Sequence, residues 1–331
     1  MFETSTCATI APSALPQLDS LETSLHEPDG FDPLGAEALP DDAGIAFRHS
    51  GWNPRRRRVQ QALEGMTDAE NRLARFNDCG SHAWVLESTN DPGSYRVSCN
   101  KCHDRFCHPC ATDRARHIAA CVGEFAAGRD IRFITLTLRF SNRTIQQDVD
   151  RLYTAFVKLR RRVRWKRTQL GGIYFIEIKR RGDDDGWHVH LHVLSEGEWL
   201  CKHWLSETWH EVTGDSFIVD IRECKSREHA AQYAAKYAGK GVHGHCYHDP
   251  AVLRQAMIAI QGRRLVGKWG TWSELNLDHE TPDGEWEGVD TLAHLIERSE
   301  RGDLEAATIL QSLLGVEPCP TNLNEHPVRG P

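Results

Sequence analysis

From residue 131 onward the chain alternates between two hydrophobic periods. "RFITLTLRF" (132–140) is a β-rich run, whereas "IQQDVDRLYTAFVKLRRRVRWKR" (145–167) places Val149, Leu152, Phe156 and Leu159 at helical spacing. "GGIYFIEIKRR" (171–181) and "GWHVHLHVLSEG" (186–197) flank a polar Gly/Asp turn, as the two strands of a hairpin do. "WLCKHWLSETWHEVTG" (199–214) reads as helix and "SFIVDIREC" (216–224) as strand. "SREHAAQYAAKYAGKG" (226–241) reads as helix, with Ser226 as its N-cap and Gly241 past its end. The order β-α-β-β-α-β plus one helix predicts an α+β fold of the ferredoxin-like split βαβ kind. In that arrangement a four-stranded antiparallel sheet carries two helices on one face. The other face then needs a cover or a function.

Outside this body the patterns are weaker. Residues 1–50 scatter Pro, Ser, Asp and Glu without apolar period, which predicts a disordered acidic N-terminus. Residues 55–77 have helical spacing, a cysteine-rich stretch covers 79–110, and 111–127 reads as helix. Together these define a helical and cysteine-rich module over 51–127. The main α+β domain is expected over 128–250. Residues 251–331 are expected to form a C-terminal helical extension, with a helix and basic turn at 251–270, a helical pattern around 289–314 and an acidic tail. No internal repeat is visible.

Composition bounds the class. The 331 residues leave room for about two domains, and 40% hydrophobic with 26% charged residues is ordinary for a soluble globular protein. No apolar run of ~18 residues and no signal-peptide pattern occurs, so a cytoplasmic protein with no membrane partner is expected. Eleven cysteines, an odd number, point in a reducing compartment to thiols or metal ligands rather than disulfides. The net charge of −7 hides segregation: residues 1–50 carry −8, residues 271–331 carry −10, and the middle carries +11. A basic body between acidic ends is compatible with a phosphate backbone as partner.

The candidate chemistry begins with "HVHLH". On a strand His188, His190 and His192 share one face at ~7 Å intervals, while Trp187, Val189, Leu191 and Val193 share the other. In a hairpin turning near 183–184, Glu177 falls opposite His190 and on the histidine face. Two imidazoles and a carboxylate, with positions left for water or phosphate, suit Mn²⁺, Mg²⁺ or another divalent ion. The strand period alone does not choose which two histidines bind. On the last helix Tyr233, Lys236, Tyr237 and Lys240 follow i, i+3, i+4, i+7 and so share a face. A tyrosine of ordinary pKa ~10 is a poor nucleophile until a cation or metal favours its anion. Beside a polarised phosphate it could attack phosphorus, with Lys236 and Lys240 neutralising developing charge.

"HVHLH", followed some forty residues on by "YAAKYAGK" and preceded by "FITLTLRF", resembles the HUH endonucleases. The likeness is to rolling-circle plasmid replication initiators and rolling-circle insertion-sequence transposases, and "QGRRLVGKWG" resembles a segment that follows their tyrosine motif. The resemblance implies that 128–250 is an HUH nuclease domain with His190 and His192 as the metal pair and Glu177 as third ligand. His188 matches the extra upstream histidine and could replace one of them. Tyr233 and Tyr237 match the two nucleophilic tyrosines and Lys236 the lysine between them. Some single-tyrosine members carry a Glu four residues before the tyrosine to activate a water; here that place holds His229, with Glu228 one further away. A second tyrosine rather than water is therefore expected to end the cycle.

"CNKCHDRFCHPC" sets Cys99, Cys102, Cys107 and Cys110 in C-x2-C-x4-C-x2-C, a zinc pattern in a cytosolic protein. The x4 spacing is short for one tetrahedral ion. Cys79 and His82 offer a further pair, so one zinc drawing on both segments and two zincs both remain open. Four thiolates leave no open position, so the expected role is structural. Basic side chains concentrate at Arg160, Arg161, Arg162, Arg164, Lys166 and Arg167, with Arg263 and Arg264 beyond, and with Lys240 they form a candidate DNA-binding set. No Walker A motif occurs.

Two functions follow. The first is a metal-dependent transesterase acting on single-stranded or hairpin DNA at a replication origin or element end, with host helicase and polymerase as partners. With no visible integration module, replication is favoured over transposition. The second is a zinc-containing DNA-binding regulator that does not cut.

Overall fold

The computed structural model describes residues 42–140, 143–180, 186–239, 242, 244–278 and 285–314. In chain order the elements are α1 (Asp42–Arg48), α2 (Asn53–Glu64), α3 (Glu70–Asn77), β1 (Trp84–Ser88), β2 (Tyr95–Ser98), α4 (His108–Phe125), β3 (Ile131–Thr137), α5 (Ile145–Arg160), α6 (Val163–Thr168) and β4 (Gln169–Arg180). Then follow β5 (Trp187–Gly197), α7 (Lys202–Thr213), β6 (Val219–Glu223), α8 (Arg227–Ala238), α9 (Pro250–Ile260), β7 (Val266–Gly270), β8 (Trp286–Thr291), α10 (Leu292–Glu300) and α11 (Leu304–Leu314). The described residues divide into two units. One holds 51–77 and 102–278, the other 42–50, 78–101 and 285–314.

The larger unit is an antiparallel sheet in the order β6-β3-β5-β4-β7. Strand alternation sorts its side chains into two layers. Ile134, Leu136, Ile176, Ile178, Val189, Leu191 and Val193 fill one face, all nearly inaccessible to solvent, and α5 and α7 cover it. Trp209 of α7 is fully buried there and donates from Nε1 to the Thr137 carbonyl at 2.9 Å. On the opposite face Ile131, Phe133, Ile173, Phe175 and Leu194 pack with Ala115, Ile118 and Val122 of α4 and Ala230, Ala234 and Ala238 of α8. The small residues matter: alanine every fourth position lets α8 settle close to α4 and to the sheet.

Local signals set several boundaries. Thr144 and Gln147 form a reciprocal capping box at the start of α5, with bonds of 3.3 and 3.0 Å. Ser226 caps α8 as expected, accepting from the His229 N–H at 3.2 Å. The helix ends at Gly239; Gly241, the expected stop, and the hairpin turn at 183–184 lie outside the described residues.

The chain departs from the one-dimensional pattern in identifiable ways. The run 145–167 is two helices, because Arg162 turns extended and the following helix buries Trp165 edge-on against Phe156, centroids 6.0 Å apart. The run 55–77 is also two helices, broken between Gly65 and Asp68, the latter at φ 59°. The expected basic turn after α9 contains a fifth strand, β7, paired with β4. Its Gly267 faces the Tyr174 ring so closely that a Cβ would stand 2.4 Å from the phenol, so a glycine there permits pairing rather than a turn.

The smaller unit corrects the expectation for the ends. Residues 42–48, read with the disordered N-terminus, are helical as α1, and His49 is buried with its Nε2 donating to the Cys79 carbonyl at 3.1 Å. Residues 1–41 lie outside the described residues. Strands β1 and β2 from the cysteine-rich stretch join β8 from the C-terminal region in a sheet of order β2-β1-β8. Its core is Ala83, Val85, Leu292, Leu295, Ala306 and Ile309. The C-terminal region is therefore not a helical appendage: its helices α10 and α11 complete this core.

Candidate functional site

The hairpin of β4 and β5 sets Glu177 directly opposite His190, and β3 sets Thr137 against His190 and Thr135 against His192. The three histidines form a ladder along β5, with successive ring centroids 6.2 Å apart and planes within about 23° of parallel. Outermost His188 also stacks on Phe140, centroids 5.3 Å apart. Polar atoms from three strands thus gather on one face, while their neighbours along the strands point to the opposite, aliphatic face under α5 and α7.

His192 is the most enclosed of the three, at 5% exposure, and Glu177 is at 4%. Their Nε2 and Oε2 atoms lie 2.9 Å apart, and Lys179 Nζ holds the same carboxylate oxygen at 3.0 Å. Burial alone would raise the Glu177 pKa, but the His192 hydrogen bond and the Lys179 charge outweigh it and bring the carboxyl down to about 2. Burial, with Lys179 next, lowers His190 to about 4; burial also lowers His192, opposed by its bond to Glu177. At neutral pH the row therefore holds two neutral imidazoles and an ionised carboxylate. An ionised Glu177 can only accept, so His192 donates from Nε2, and its Nδ1 is an acceptor facing the Thr135 and Tyr233 hydroxyls at 3.3 Å each. Thr137 Oγ1 stands 3.1 Å from His190 Nδ1, which leaves the His190 Nε2 edge for a ligand.

Helix α8 brings its tyrosines over this row. Tyr237 stacks on His192 with centroids 3.7 Å apart and planes 13° from parallel, and Tyr233 meets Tyr237 edge-on at 4.9 Å. Phe133 stacks beneath Tyr233 at 4.3 Å. Lys236 stands over the Tyr237 ring, 5.3 Å from its centroid. Burial raises both phenol pKa values, Tyr233 above the ordinary range and Tyr237 to about 12, the nearby Glu177 adding to the second. Both are therefore neutral phenols at rest.

The donor chemistry of His190, His192 and Glu177 fits a divalent ion, since both imidazoles are neutral and the carboxyl is ionised; to ligate through Nε2, His192 would carry its proton on Nδ1, where the Thr135 hydroxyl can accept it. Their atoms do not, however, form a group closed to within 4.8 Å among the described residues. Glu177 and His192 spend their facing atoms on one another, and an ion would exchange that hydrogen bond for two coordinate bonds. Thr135 and Thr137 hold the far ring nitrogens, the orienting contacts that ligating histidines use. Lys179, Thr135, Thr137 and Phe133 escaped the sequence reading. Their signal was there in the alternation: Lys179 shares a parity with Glu177, and Phe133, Thr135 and Thr137 share one along "FITLT".

The sulfurs of Cys102, Cys107 and Cys110 lie within 4.8 Å of one another, with Cys102 and Cys110 3.7 Å apart, and all three are buried. This cysteine cluster could hold a metal such as zinc. The expected C-x2-C-x4-C-x2-C quartet is divided, because Cys99 belongs to the other unit and packs against its Val85–Leu292 core. Cys79 is buried in that unit, and His82, at φ 52°, contacts Ser81 Oγ and Asn100 Nδ2 through Nδ1.

The basic set is dispersed. Arg160 lies half-buried over Phe156 and Trp269, Arg162 pairs with Glu211 at 2.7 Å, Arg164 stacks over Trp204 and Arg263 pairs with Asp150. Arg161, Lys166, Arg167 and Arg264 are exposed. The run 158–167 spans the end of α5, which covers the sheet face opposite the histidines, and most of α6. Lys240 lies outside the described residues.

Residues 96–312 match the family described as Replication protein. A "Protein rep" of Staphylococcus aureus is 26% identical over 197 residues, covering 52% of this chain and 83% of that protein. A "Protein rep" of Bacillus amyloliquefaciens is 26% identical over 307 residues, covering 75% of this chain and 87% of its own. No solved structure matches the chain. No helix among the described residues is long and apolar enough to cross a membrane.

Proposed function

This chain belongs to the replication-protein family, the rolling-circle plasmid replication initiators of the HUH superfamily, and from that premise we propose that it initiates by tyrosine-mediated nicking of one DNA strand at an origin. The observation that carries the reading is one juxtaposition: a Glu177–His190 strand pair beside His192, covered by a helix whose Tyr237 stacks on that histidine. The split βαβ strand order within the sheet supports an HUH nuclease domain of ferredoxin-like type.

In this reading His190, His192 and Glu177, with His188 at the outer end, would hold a divalent ion, Mn²⁺ or Mg²⁺, whose chemistry there would be Lewis-acid polarisation of the scissile phosphate. The chain's own residues do the rest. Tyr237 presents its oxygen to phosphorus; a P–O bond to the tyrosine forms, the P–O3′ bond breaks, and the departing 3′ oxygen takes up a proton. Lys236, next to that ring, offsets charge on the phenol as its proton leaves. Tyr233, held between Phe133 and His192 Nδ1, serves the second transfer. The phosphodiester is conserved in the tyrosyl bond, so a 3′ hydroxyl attacking that phosphorus reseals the strand without a nucleotide cofactor. The free 3′ hydroxyl is the substrate of a host polymerase, and unwinding ahead of it is the work of a host helicase. Zinc on Cys102, Cys107 and Cys110 would brace the start of α4, three thiolates leaving one position of a tetrahedral ion for a further donor.

The experiment is to incubate the full chain with labelled single-stranded and hairpin origin oligonucleotides and Mn²⁺, then separate the products under denaturing conditions. A covalent protein–DNA band is expected. It should vanish in His190→Ala with His192→Ala, and in Tyr233→Phe with Tyr237→Phe. Absence of a band with wild type on every origin oligonucleotide, or its persistence in the double tyrosine variant, would sink the reading in favour of a DNA-binding regulator.

A further inference from the structure

Outside the histidine row, the larger unit contains a small cleft whose lining includes Asp104, Arg105 and Arg114 together with Tyr237 and Val266. We propose that this cleft is a binding site for one backbone phosphodiester of single-stranded DNA, held by Arg105 and Arg114 next to Tyr237. The proposal rests on the tyrosine-nicking reading and adds where the strand lies.

Charge carries the argument. Arg105 and Arg114 are near enough to repel one another, and neither makes a hydrogen bond or ion pair among the described residues. Asp104, a lining carboxylate, already accepts from Arg72 Nε at 2.6 Å and Nη2 at 3.2 Å, and from the Phe106 N–H at 2.9 Å. The same contacts fix the loop, since Arg72 also lies over the Phe106 ring at 5.7 Å. Asp104 itself lines the cleft and attracts Arg105, but Arg72, Arg105 and Arg114 outnumber it, so the cleft keeps a net positive charge, and a phosphate offers the planar fork of each guanidinium its matching oxygens.

Position supplies the rest. Arg105 lies three residues before the first residue of α4, and Arg114 lies on the same helix face as Cys110 and Ala111, which also line the cleft. On the far side α8 ends at Gly239, where a Cβ would stand 2.8 Å from the Ala111 carbonyl oxygen, so the two helices close the cleft floor. Val266 of β7 provides an apolar wall of a kind that a sugar or base can lie against. A phosphate seated here is adjacent to Tyr237 on the sheet face of the histidine row. The exposed arginines of the run 158–167 are on helices covering the other face and cannot serve this position.

The test is fluorescence anisotropy of the full chain with a labelled oligodeoxythymidine, without added divalent ion, across a salt series. For Arg105→Gln with Arg114→Gln, affinity should fall about tenfold, and the slope of log K against log salt should become shallower by about 0.7, the value for one phosphate contact on a single strand. The charge-matched pair Arg75→Gln with Arg301→Gln, both exposed and neither in the candidate DNA-binding set, should leave affinity at this site within about twofold. Arg105→Lys with Arg114→Lys should keep the slope while losing part of the affinity. Unchanged affinity and slope in the glutamine pair, or an equal loss in the control pair, overturns the proposal. Should the double variant lose its wild-type circular dichroism, Arg114→Gln alone decides, because Arg114 is exposed. The Mn²⁺ adduct assay separates the two failures. A wild type that forms no adduct defeats the nicking reading whatever the anisotropy shows. An adduct-forming wild type whose glutamine pair binds normally defeats this site alone.

Discussion

His192 and Tyr237 stack face to face, 3.7 Å between ring centroids and 13° from parallel, although 45 positions separate them in the chain. The contact fixes the tyrosine ring over a histidine that is itself tied to Glu177, while Tyr233 reaches the same imidazole from its Nδ1 side. Different seats predict different roles. Tyr237→Phe is expected to reduce first-strand adduct formation by ~10³ or more, as loss of a covalent nucleophile does. Tyr233→Phe should retain the first adduct and lose transfer to a second strand. Separate quantification of covalent band and joined product measures both.

The depressed pKa values define two acid windows in protein kept free of added divalent ion. His190 titrates near 4 in the fold and near 6.5 when unfolded, so the unfolded chain binds more protons between those values. Stability is whole above pH 6.5 and declines as pH falls towards 4, by up to ~3 kcal/mol for this group. Glu177, near 2 in the fold against 4.5 unfolded, adds stability present above pH 4.5 and lost as pH falls towards 2. Urea midpoints measured from pH 7 to 3 should show the first decline in wild type and a flatter curve above pH 4.5 in His190→Gln. An unchanged curve in that variant would refute the assignment.

Cys107→Ser should strip the metal from the cysteine cluster and destabilise the fold by several kcal/mol, since binding energy at such sites is folding energy. Metal content by mass spectrometry and thermal midpoint should fall together. Cys201, exposed and remote from the cluster, should change neither when replaced by Ser.

Ala234 is wholly buried between α8 and the sheet. Ala234→Leu should cost about 1–3 kcal/mol by overpacking and lift the tyrosine helix off the histidine row. Adduct formation should drop by more than the loss of folded protein accounts for, with kcat affected more than DNA binding.

Much of the site is legible in one dimension because a strand has period two and a helix period near three and a half. Those periods put three histidines on one side of β5, Glu177 across the hairpin, and Tyr233 with Tyr237 on one side of α8. Ser226 announced the start of that helix through its own side-chain bond. The alternating periods also gave away the mixed α+β character of the central body and its antiparallel hairpin of β4 and β5.

Other features required packing. The histidine pair at the centre is distinguished by burial and by contact with Glu177, Thr135 and Thr137, which depend on the register of three strands. Strand β7 exists because β4 had an open edge and Gly267 admits the Tyr174 ring, neither of which shows in a five-residue string. The break at Arg162 follows from the burial of Trp165. Residues 78–101 and 285–314 complete one core although almost two hundred positions lie between them, and no local period encodes a pairing of that span. Only tertiary structure could decide that Cys99 packs in that core, that the run 158–167 begins in a helix on the face opposite the tyrosines, and that Asp104 accepts from Arg72.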